Sequence, residues 1–221
     1  EEYDGSTWTE VGNVNTARYD AAIGGTQAAT ILAGGYAPGG VTTDSEEFNG
    51  TSWTEGLNLN TGRLGVQGVG TQTSALALGG RIGPGSTYTT NAEYYNGSSW
   101  TAAPVPQISV VPYGAETAIA FGVQTACVYS GGATPSRVTT TTEWDGSSWA
   151  AGGAALVATN SAAASGTATA GLAYGGSIPA NTGAASGYDG TAWSTRPSMA
   201  TARASLGGLN GGASSATAAL A

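Results

Sequence analysis

The chain has 221 residues, a formal net charge of −8 at pH 7, six arginines, and neither lysine nor histidine. A protein that binds nucleic acid by displacing phosphate counterions needs a basic surface, so this composition argues against nucleic acid as a partner. The most abundant residue types are small, with 37 glycines, and no helical period is evident. Sheets packed through small side chains are therefore expected.

The lack of histidine also restricts the chemistry that the chain can carry. Zinc and copper sites rely on histidine, and the single cysteine, Cys127, lies in an apolar run that favours a buried, unreactive thiol. Calcium bound by Asp20, Asp44 or backbone carbonyls stays open as an alternative, although no acidic loop typical of such sites occurs. We expect no cofactor and no metal.

No membrane insertion is expected either. No apolar stretch in the chain approaches the roughly 20 residues that a spanning helix needs.

In chain order, the first recurring feature is a short motif. An aromatic residue is followed by Asp or Asn, Gly, two small residues and Trp. The five copies end at Trp8, Trp53, Trp100, Trp149 and Trp193. A repeat of 44 to 49 residues that runs through the whole chain predicts one domain, 1–221, built from five similar small sheets.

Two further marks recur between the motifs. A Gly-Gly pair ends an apolar run at 34–35, 79–80, 131–132 and 175–176. An arginine lies ten residues after the Trp at Arg18, Arg63 and Arg203, whereas Ala115 and Thr159 take the corresponding places in the other two units. The third unit also carries an insertion after its Trp.

The order Arg, Gly-Gly, then aromatic-x-Gly-x-x-Trp resembles the kelch repeat, and the resemblance covers essentially the whole chain. It departs from that repeat where Arg is missing from two units and where the last unit lacks Gly-Gly. The resemblance implies an all-β, five-bladed β-propeller with four antiparallel strands in each blade. The innermost strand would begin near the Arg, the second would end at Gly-Gly, the third at the aromatic residue, and the outermost would begin near Trp.

The Asp-Gly and Asn-Gly pairs predict the turns between the third and fourth strands. A two-residue type I′ turn needs positive φ at both central residues, and these pairs favour it. The pairs begin at Asp4, Asn49, Asn96, Asp145 and Asp189. The segments that begin at Asn49 and Asn96 also match the Asn-x-Ser/Thr pattern of glycosylation sites. We attribute this match to coincidence, because the turn itself favours Asn-Gly.

The two ends of the chain are expected to meet in one blade. The first residues, Glu1 to Tyr3, match a third strand, and residues 216–221 match a second strand. One blade would then take its inner strands from the C-terminal part and its outer strands from the N-terminal part, which removes an open sheet edge.

The charged residues of the repeat have structural explanations. Neighbouring carboxylates such as Glu46 and Glu47 point to opposite faces of a strand, so we expect a solvated edge rather than an acid–base pair, and we expect no enzyme activity. The repeat arginines are expected to bind carbonyls or carboxylates of adjacent blades near the channel mouth. Phosphate binding by the glycine-rich stretch 34–40 is not expected, because the Gly-Lys-Ser/Thr ending is missing.

The loops that vary between units point to a binding face. These loops lead into the innermost strand and leave the second strand, on the face opposite the uniform Asp-Gly and Asn-Gly turns. Candidate ligand-binding residues on that face are Tyr36, Arg81, Tyr88, Arg137 and, in the insertion, Tyr113. Tyr and Arg are the residue types that dominate recognition surfaces.

The sequence thus favours a noncatalytic recognition module that binds a glycan or a protein, and we expect a monomer. Segments such as 15–18, 25–27, 60–63 and 70–72 are similar to kelch-type repeat proteins encoded by bacteriophages of marine bacteria. That similarity implies a phage-encoded, host-recognising protein with a virion or extracellular location. The alternatives are a purely structural or display domain of a virion appendage and an engineered propeller without a natural ligand.

Overall fold

The protein is an all-β propeller, seen in a computed structural model that describes residues 1–83, 87–106, 118–132 and 136–206. Four four-stranded antiparallel sheets follow one another along the chain, and no helix occurs within these ranges. The strands are short because Gly-rich turns interrupt the apolar runs every few residues.

A two-stranded hairpin precedes the first sheet. It consists of β1 (Glu2–Tyr3) and β2 (Trp8–Thr9), with Tyr3 paired to Trp8. The first sheet contains β3 (Ala22–Thr26), β4 (Ala29–Ala33), β7 (Ser45–Phe48) and β8 (Trp53–Glu55), in that spatial order. Between its second and third strands, β5 (Tyr36–Ala37) and β6 (Gly40–Val41) form a short ribbon.

The second and third sheets repeat this arrangement. The second sheet contains β9 (Gln67–Thr71), β10 (Ser74–Leu78), β11 (Ala92–Tyr95) and β12 (Trp100–Ala103). The third sheet contains β13 (Ala118–Val123), β14 (Ala126–Gly131), β15 (Thr141–Trp144) and β16 (Trp149–Ala151).

The fourth sheet again carries a ribbon. Its strands are β17 (Ala163–Thr167), β18 (Ala170–Tyr174), β21 (Ala185–Tyr188) and β22 (Trp193–Arg196). The ribbon consists of β19 (Ser177–Ile178) and β20 (Ala180–Asn181).

The predicted strand order is confirmed in the four sheets that the structure describes. In the first sheet the innermost strand begins four residues after Arg18, the second strand ends directly before Gly34, and the third strand ends at Phe48. The outermost strand begins at Trp53, which pairs with Phe48. The same aromatic-to-Trp pairing recurs in the other sheets and in the hairpin β1–β2.

The outer edge of each sheet is held by this aromatic pair. Ring centroids lie 5.1 Å apart for Phe48 and Trp53 and 4.9 Å apart for Tyr95 and Trp100, with tilted planes. Such pairs stabilise a sheet by more than the apolar area that they bury. In a chain composed largely of small residues, they supply most of the bulk of the outer strands.

The inner ends of neighbouring sheets come very close. Innermost strands contact each other in sequence, β3 with β9, β9 with β13 and β13 with β17. A Cβ atom added to Gly68 would lie 2.5 Å from the carbonyl oxygen of Ile23, and one added to Gly171 would lie 2.1 Å from the ring of Phe121. Glycine at these positions therefore lets the sheets converge toward the centre of the propeller.

The prediction of two-residue type I′ turns between third and fourth strands is wrong. Gly146 has positive φ, whereas Asp145 does not, and the turn has four residues between the paired Trp144 and Trp149. The Asp145 carboxylate instead accepts backbone N–H bonds from Ser147 and Ser148, at 2.8 and 2.7 Å. The side chain thus caps the turn, which accounts for Asp or Asn at this place in every repeat.

Five blades were predicted, and the described residues form four complete four-stranded sheets and the separate hairpin β1–β2. Residues 216–221, predicted to supply the second strand of the fifth blade, lie outside the described residues.

Asp145→Asn tests the role of the turn carboxylate. Hydrogen bonds from the backbone of Ser148 and from Ser147 lower the pKa of Asp145 from 3.8 to about 2. Because the folded state holds the ionised form, the stabilisation is present above about pH 4 and is lost as the pH falls toward 2. In urea unfolding, the wild type should exceed Asp145→Asn in stability at pH 6, and the difference should shrink toward pH 2.

The variant should still fold, because Asn49 and Asn96 cap the same turn with their side-chain oxygens. A difference between wild type and variant that is equal at pH 6 and pH 2 would contradict this account. Asn96→Asp is the matched reverse variant and should gain the same pH dependence.

Candidate functional site

The Gly-Gly pairs shape the face opposite the capped turns. Gly34 and Gly35 both have positive φ, at 69° and 98°. A Cβ at Gly35 would lie 2.8 Å from the carbonyl oxygen of Tyr19, which a larger residue would not allow. The chain therefore turns sharply here and brings Tyr36 beside Tyr19, which precedes the innermost strand of the same sheet.

In the first, second and fourth sheets, a backbone bridge joins the two loops on this face. Tyr36 donates its N–H to Tyr19 at 2.9 Å, and Tyr19 donates to Tyr36 at 3.2 Å. Leu64 and Arg81 form the same bridge in the second sheet, and Asn160 and Ser177 form it in the fourth. These bridged loops extend the sheets, and together with the corresponding loop of the third sheet, where Arg137 lies, they form what we call the loop face.

The loop face carries a stacked pair of tyrosines above the first sheet. The rings of Tyr19 and Tyr36 have centroids 5.3 Å apart and planes inclined by 29°. Both side chains remain accessible, with Tyr19 58% and Tyr36 38% exposed. Aromatic rings at this exposure offer a flat apolar surface and a polar hydroxyl to a ligand.

A groove of about 620 Å³ extends from the tyrosine pair to the second sheet. We call it the Tyr-Arg groove; its lining residues are Tyr19, Tyr36, Gly39, Gly40, Val41, Arg81 and Gly83. Its volume lies within the range of small-molecule sites. A cleft between the third and fourth sheets, beside Leu156 and Val157, has only about 50 Å³ and is too small for a comparable ligand.

Arg81 is held at the second-sheet side of the groove by its backbone. Its N–H donates to the carbonyl of Leu64 at 2.8 Å, Leu64 donates back at 3.0 Å, and a further bridge joins Arg81 to Tyr88. The side chain is half-buried. Arg81 is the cationic residue among the described residues that line the groove.

The predicted site residues are brought together only in part. Tyr36 and Arg81 share the groove, and Tyr88 lies beside Arg81 through its backbone bridge. Arg137 belongs to the third sheet, where it is half-buried and does not line the groove. Tyr113 lies outside the described residues.

Tyr19 was not predicted. It follows Arg18, whose side chain is completely buried, and successive residues of an extended chain point to opposite sides. The exposure of the Tyr19 side chain therefore follows from the burial of Arg18. The sequence alone could have indicated it only if the direction of the Arg18 side chain had been known.

The repeat arginines have a structural role, as expected. The guanidinium of Arg18 donates to the carbonyl of Asp44 at 2.8 Å and pairs with Glu46. Arg63 pairs with Glu93 in the same way. The prediction that these arginines bind groups of adjacent blades is wrong for the carboxylates. Each arginine precedes the innermost strand of a sheet, and its carboxylate partner lies in the third strand of that same sheet.

The expected solvated edge of carboxylates is also wrong. Glu46 and Glu93 are buried in these ion pairs. Glu47 accepts a hydrogen bond from the hydroxyl of Tyr95 in the next sheet, and Glu143 accepts one from Tyr188. Burial is the main cause that raises the pKa of Tyr95, so the phenol remains a donor. Neighbouring carboxylates do have separate partners, as the strand alternation predicted.

Cys127 is completely buried, and burial raises the pKa of its thiol. A protonated thiol in the core is unreactive, in agreement with the sequence interpretation. Within the part of the chain that the structure describes, no group of three or more Cys, Asp and Glu side chains is arranged to hold a metal ion. No helix suited to crossing a membrane occurs among the described residues.

Comparison with protein-family models and with curated proteins finds no match to this chain.

Removal of one partner from a buried ion pair should be far more costly than neutralising both. Arg63→Met leaves the Glu93 carboxylate buried without its cation, for which we expect a loss of about 3–5 kcal/mol of unfolding free energy. Arg63→Met with Glu93→Gln should recover a large part of that loss. The side-chain oxygen of the introduced glutamine can still accept from the backbone N–H of Asn60, as the Glu93 carboxylate does at 2.7 Å. Urea unfolding measures the unfolding free energies of the single and the double variant.

The fourth sheet shows that the pair is dispensable, since Thr159 and Ser186 take the equivalent places there. A double variant as unstable as Arg63→Met would show that lost contacts, rather than an uncompensated charge, cause the effect.

Proposed function

We propose that this protein is a noncatalytic recognition module that binds a saccharide through the Tyr-Arg groove. The fold itself is compatible with this role, because a propeller holds variable loops on a rigid scaffold. The proposal rests on one observation, the stacked and exposed pair Tyr19 and Tyr36 at the wall of an open groove.

The geometry favours a saccharide for physical reasons. The apolar face of a sugar ring can lie on an exposed tyrosine ring while the sugar hydroxyls bond to polar groups at its rim. Gly39 and Gly40 border open space, since a Cβ at either would meet nothing within 4 Å. At this end, beside Tyr36, neighbouring atoms therefore do not fill the space next to the two glycines.

The lining of the groove argues against hydrolysis of such a ligand. Most glycosidases need two carboxyl groups, and no Asp or Glu is among the described residues that line the Tyr-Arg groove. We therefore propose binding without catalysis. A role in host recognition by a phage-encoded protein is part of this proposal and is supported by the similarity of the repeats alone.

We also propose that the propeller is of the kelch type and has five blades. The amide of Gln72 donates to the carbonyl of Phe48 in the preceding sheet at 2.6 Å, and Gln124 donates to Tyr95 in the same way. Gln27 makes the matching bond to Tyr3 at 3.2 Å. The hairpin β1–β2 therefore lies beside the first sheet as the outer half of a preceding blade would.

The other end of the described chain supports the same conclusion. Gly35 donates to the carbonyl of Arg63 at 2.7 Å, and Gly176 donates to the carbonyl of Arg203 at 2.8 Å. Thus Arg203 follows the fourth sheet as Arg63 follows the first. Ser205 and Asp20, each two residues after a repeat arginine, share a positive φ near 55° and line one cavity of about 240 Å³.

The ion-pair pattern completes the argument for a fifth blade. Acidic residues accompany the arginines at Arg18 with Glu46 and at Arg63 with Glu93. The residue that matches Glu46 in the fifth repeat is Glu1, and the repeat arginine there is Arg203. We propose that residues 207–221 and the hairpin β1–β2 together form this blade.

Leu209→Asp tests the fifth blade. Leu209 lies six residues after Arg203, where Val69 and Phe121 are completely buried in the second and third sheets. A buried unpaired carboxylate should lower the unfolding free energy by about 3 kcal/mol or more. Ser214→Asp is the control, because it matches the exposed Ala170. Equal stability of the two variants would contradict the five-bladed ring.

Saccharide binding is tested on a glycan array with Tyr36→Ala and Tyr19→Ala. We expect wild type to bind a defined set of glycans and both variants to lose about tenfold or more in affinity, since an aromatic anchor is removed. Ile178→Ala, on the corresponding ribbon of the fourth sheet, is the control and should bind as the wild type does. No bound glycan, or binding unaffected by either tyrosine, would refute the proposal and favour a scaffold.

A further inference from the structure

Two of the capped turns carry Asn where the others carry Asp. Asn49 and Asn96 are exposed, and each precedes a glycine, Gly50 or Gly97. The turns that carry a carboxylate at the same place are also exposed there, at Asp4, Asp145 and Asp189. One turn geometry therefore accepts either an amide or a carboxylate at this position.

The cap depends on the side-chain oxygen alone. Oδ1 of Asn49 accepts the backbone N–H groups of Thr51 at 3.0 Å and Ser52 at 2.9 Å. Oδ1 of Asp145 accepts the matching N–H groups of its own turn at 2.8 and 2.7 Å. The amide nitrogen of Asn49 takes no part in these bonds, so its loss would leave the bonds that cap the turn in place.

The same bonds make the amide carbon more open to attack. Oδ1 of Asn96 accepts the N–H groups of Ser98 and Ser99 at 2.9 and 2.8 Å, and their hydroxyl groups at 3.0 and 3.3 Å. Donors directed at a carbonyl oxygen stabilise the negative charge that forms on it when a nucleophile adds to the carbon. The main-chain nitrogen of Gly97 is the next nitrogen along the chain, and glycine has no Cβ to obstruct a ring.

We propose that Asn49 and Asn96 are sites of spontaneous deamidation, at which the folded turn converts the amide into Asp. The main-chain nitrogen of the following glycine forms a bond to Cγ of the asparagine and gives up its proton, and Nδ2 leaves with that proton as ammonia. Water then adds to Cγ of the resulting succinimide ring. The bond between Cγ and the glycine nitrogen breaks, the nitrogen regains a proton, and a carboxyl group remains.

The fold favours this product over isoaspartate. If water attacks the main-chain carbonyl of the ring instead, the main chain afterwards runs through Cβ and Cγ and is one atom longer. In the second sheet the turn joins Tyr95 to Trp100, which are paired across the strands with ring centroids 4.9 Å apart. A longer turn would disturb this pairing, whereas Asp retains the main chain and the cap.

The modification changes the charge of one face. Each conversion adds a negative charge to the turn face, in a chain whose formal net charge is already −8. Because like charges repel, a modified molecule binds anionic partners more weakly through that face. This inference does not depend on the proposed saccharide site, which lies on the opposite face.

The test is incubation of the whole folded chain in mildly alkaline buffer, followed by peptide mapping. The digestion uses a protease that cleaves before Asp but not before isoaspartate, and mass spectrometry identifies the products. We expect new cleavage at positions 49 and 96. Asn60 is the internal control and should stay intact, because it precedes Thr61 and its amide nitrogen donates to Glu93 at 2.8 Å and to the carbonyl of Trp100 at 2.9 Å. Asn210, which also precedes glycine, lies outside the described residues and is mapped in a separate peptide.

Two further controls separate the effect of the turn from that of the sequence. A free peptide of residues 94–101 contains the same Asn-Gly pair without the sheet, and the share of Asp relative to isoaspartate should be larger in the folded chain. The double variant Asn49→Asp with Asn96→Asp represents the product. Converted wild type should match it in urea unfolding, including the loss of stability toward acidic pH that a capping carboxylate causes.

Four results would overturn the proposal. The first is that Asn49 and Asn96 stay intact in the folded chain after the free peptide has been converted. The second is that Asn60 is converted as fast as they are. The third is that the Asp share in the folded chain does not exceed that in the peptide. The fourth is that converted wild type unfolds differently from the double variant.

Discussion

Neighbouring sheets approach each other closely at the centre, and this contact determines how the whole propeller is packed. The innermost strands of successive sheets touch, and Gly68 and Gly171 lie where any side chain would collide with the adjacent sheet. Sheets that converge at the centre must diverge outward, and the aromatic pairs such as Tyr95 and Trp100 fill the wider outer part. The abundance of Gly and Ala and the regular recurrence of Trp thus have one cause.

Polar bonds set the angle between these sheets. Gln72 and Gln124 each bridge two carbonyls of the preceding sheet, and their equivalent in the fourth sheet is Ala168. The hydrogen bonds of Glu47 with Tyr95 and Glu143 with Tyr188 join alternate pairs of sheets. Between them, Tyr94 and Trp144 make an aromatic contact instead, with centroids 6.0 Å apart. Different chemistry therefore maintains the same geometry at successive interfaces.

The scaffold explains why one face can vary. On the turn face, the side chain of Asp or Asn caps every hairpin, so its residue types are restricted. On the loop face, backbone bridges and Gly-Gly pairs maintain the geometry, and they make no demand on the side chain that follows. Tyr36, Arg81 and Ser177 occupy the same position in different sheets, which shows that the scaffold does not restrict the residue type at this position.

Much of the fold could be predicted from the sequence because spacing recurs. The Gly-Gly pairs and the aromatic-to-Trp motif correctly placed the second, third and fourth strands of each sheet. The turn type could not be predicted from Asp-Gly alone, because a capping carboxylate and a type I′ backbone favour the same letters. The burial of Glu46 was missed because its partner, Arg18, lies 28 residues away in sequence.

The candidate site was predictable only in outline. The varying loops were predicted to share one face, and two of the residues named there, Tyr36 and Arg81, line one groove. Arg137 lies apart from that groove because it belongs to the third sheet, whereas the groove lies between the first and second sheets. The loop residues alone did not indicate which of them would share a groove. The contribution of Tyr19 depends on a stacking contact between two loops of the same sheet.

A crystal structure of the whole chain is the measurement that tests most directly whether these sheets form a closed ring. The account predicts a fifth sheet in which residues 214–218 pair antiparallel with β1, so that Ser215 lies opposite Tyr3 as Thr30 lies opposite Phe48 in the first sheet. A structure in which β1 pairs only with β2, or in which residues 207–221 pack elsewhere, would contradict it.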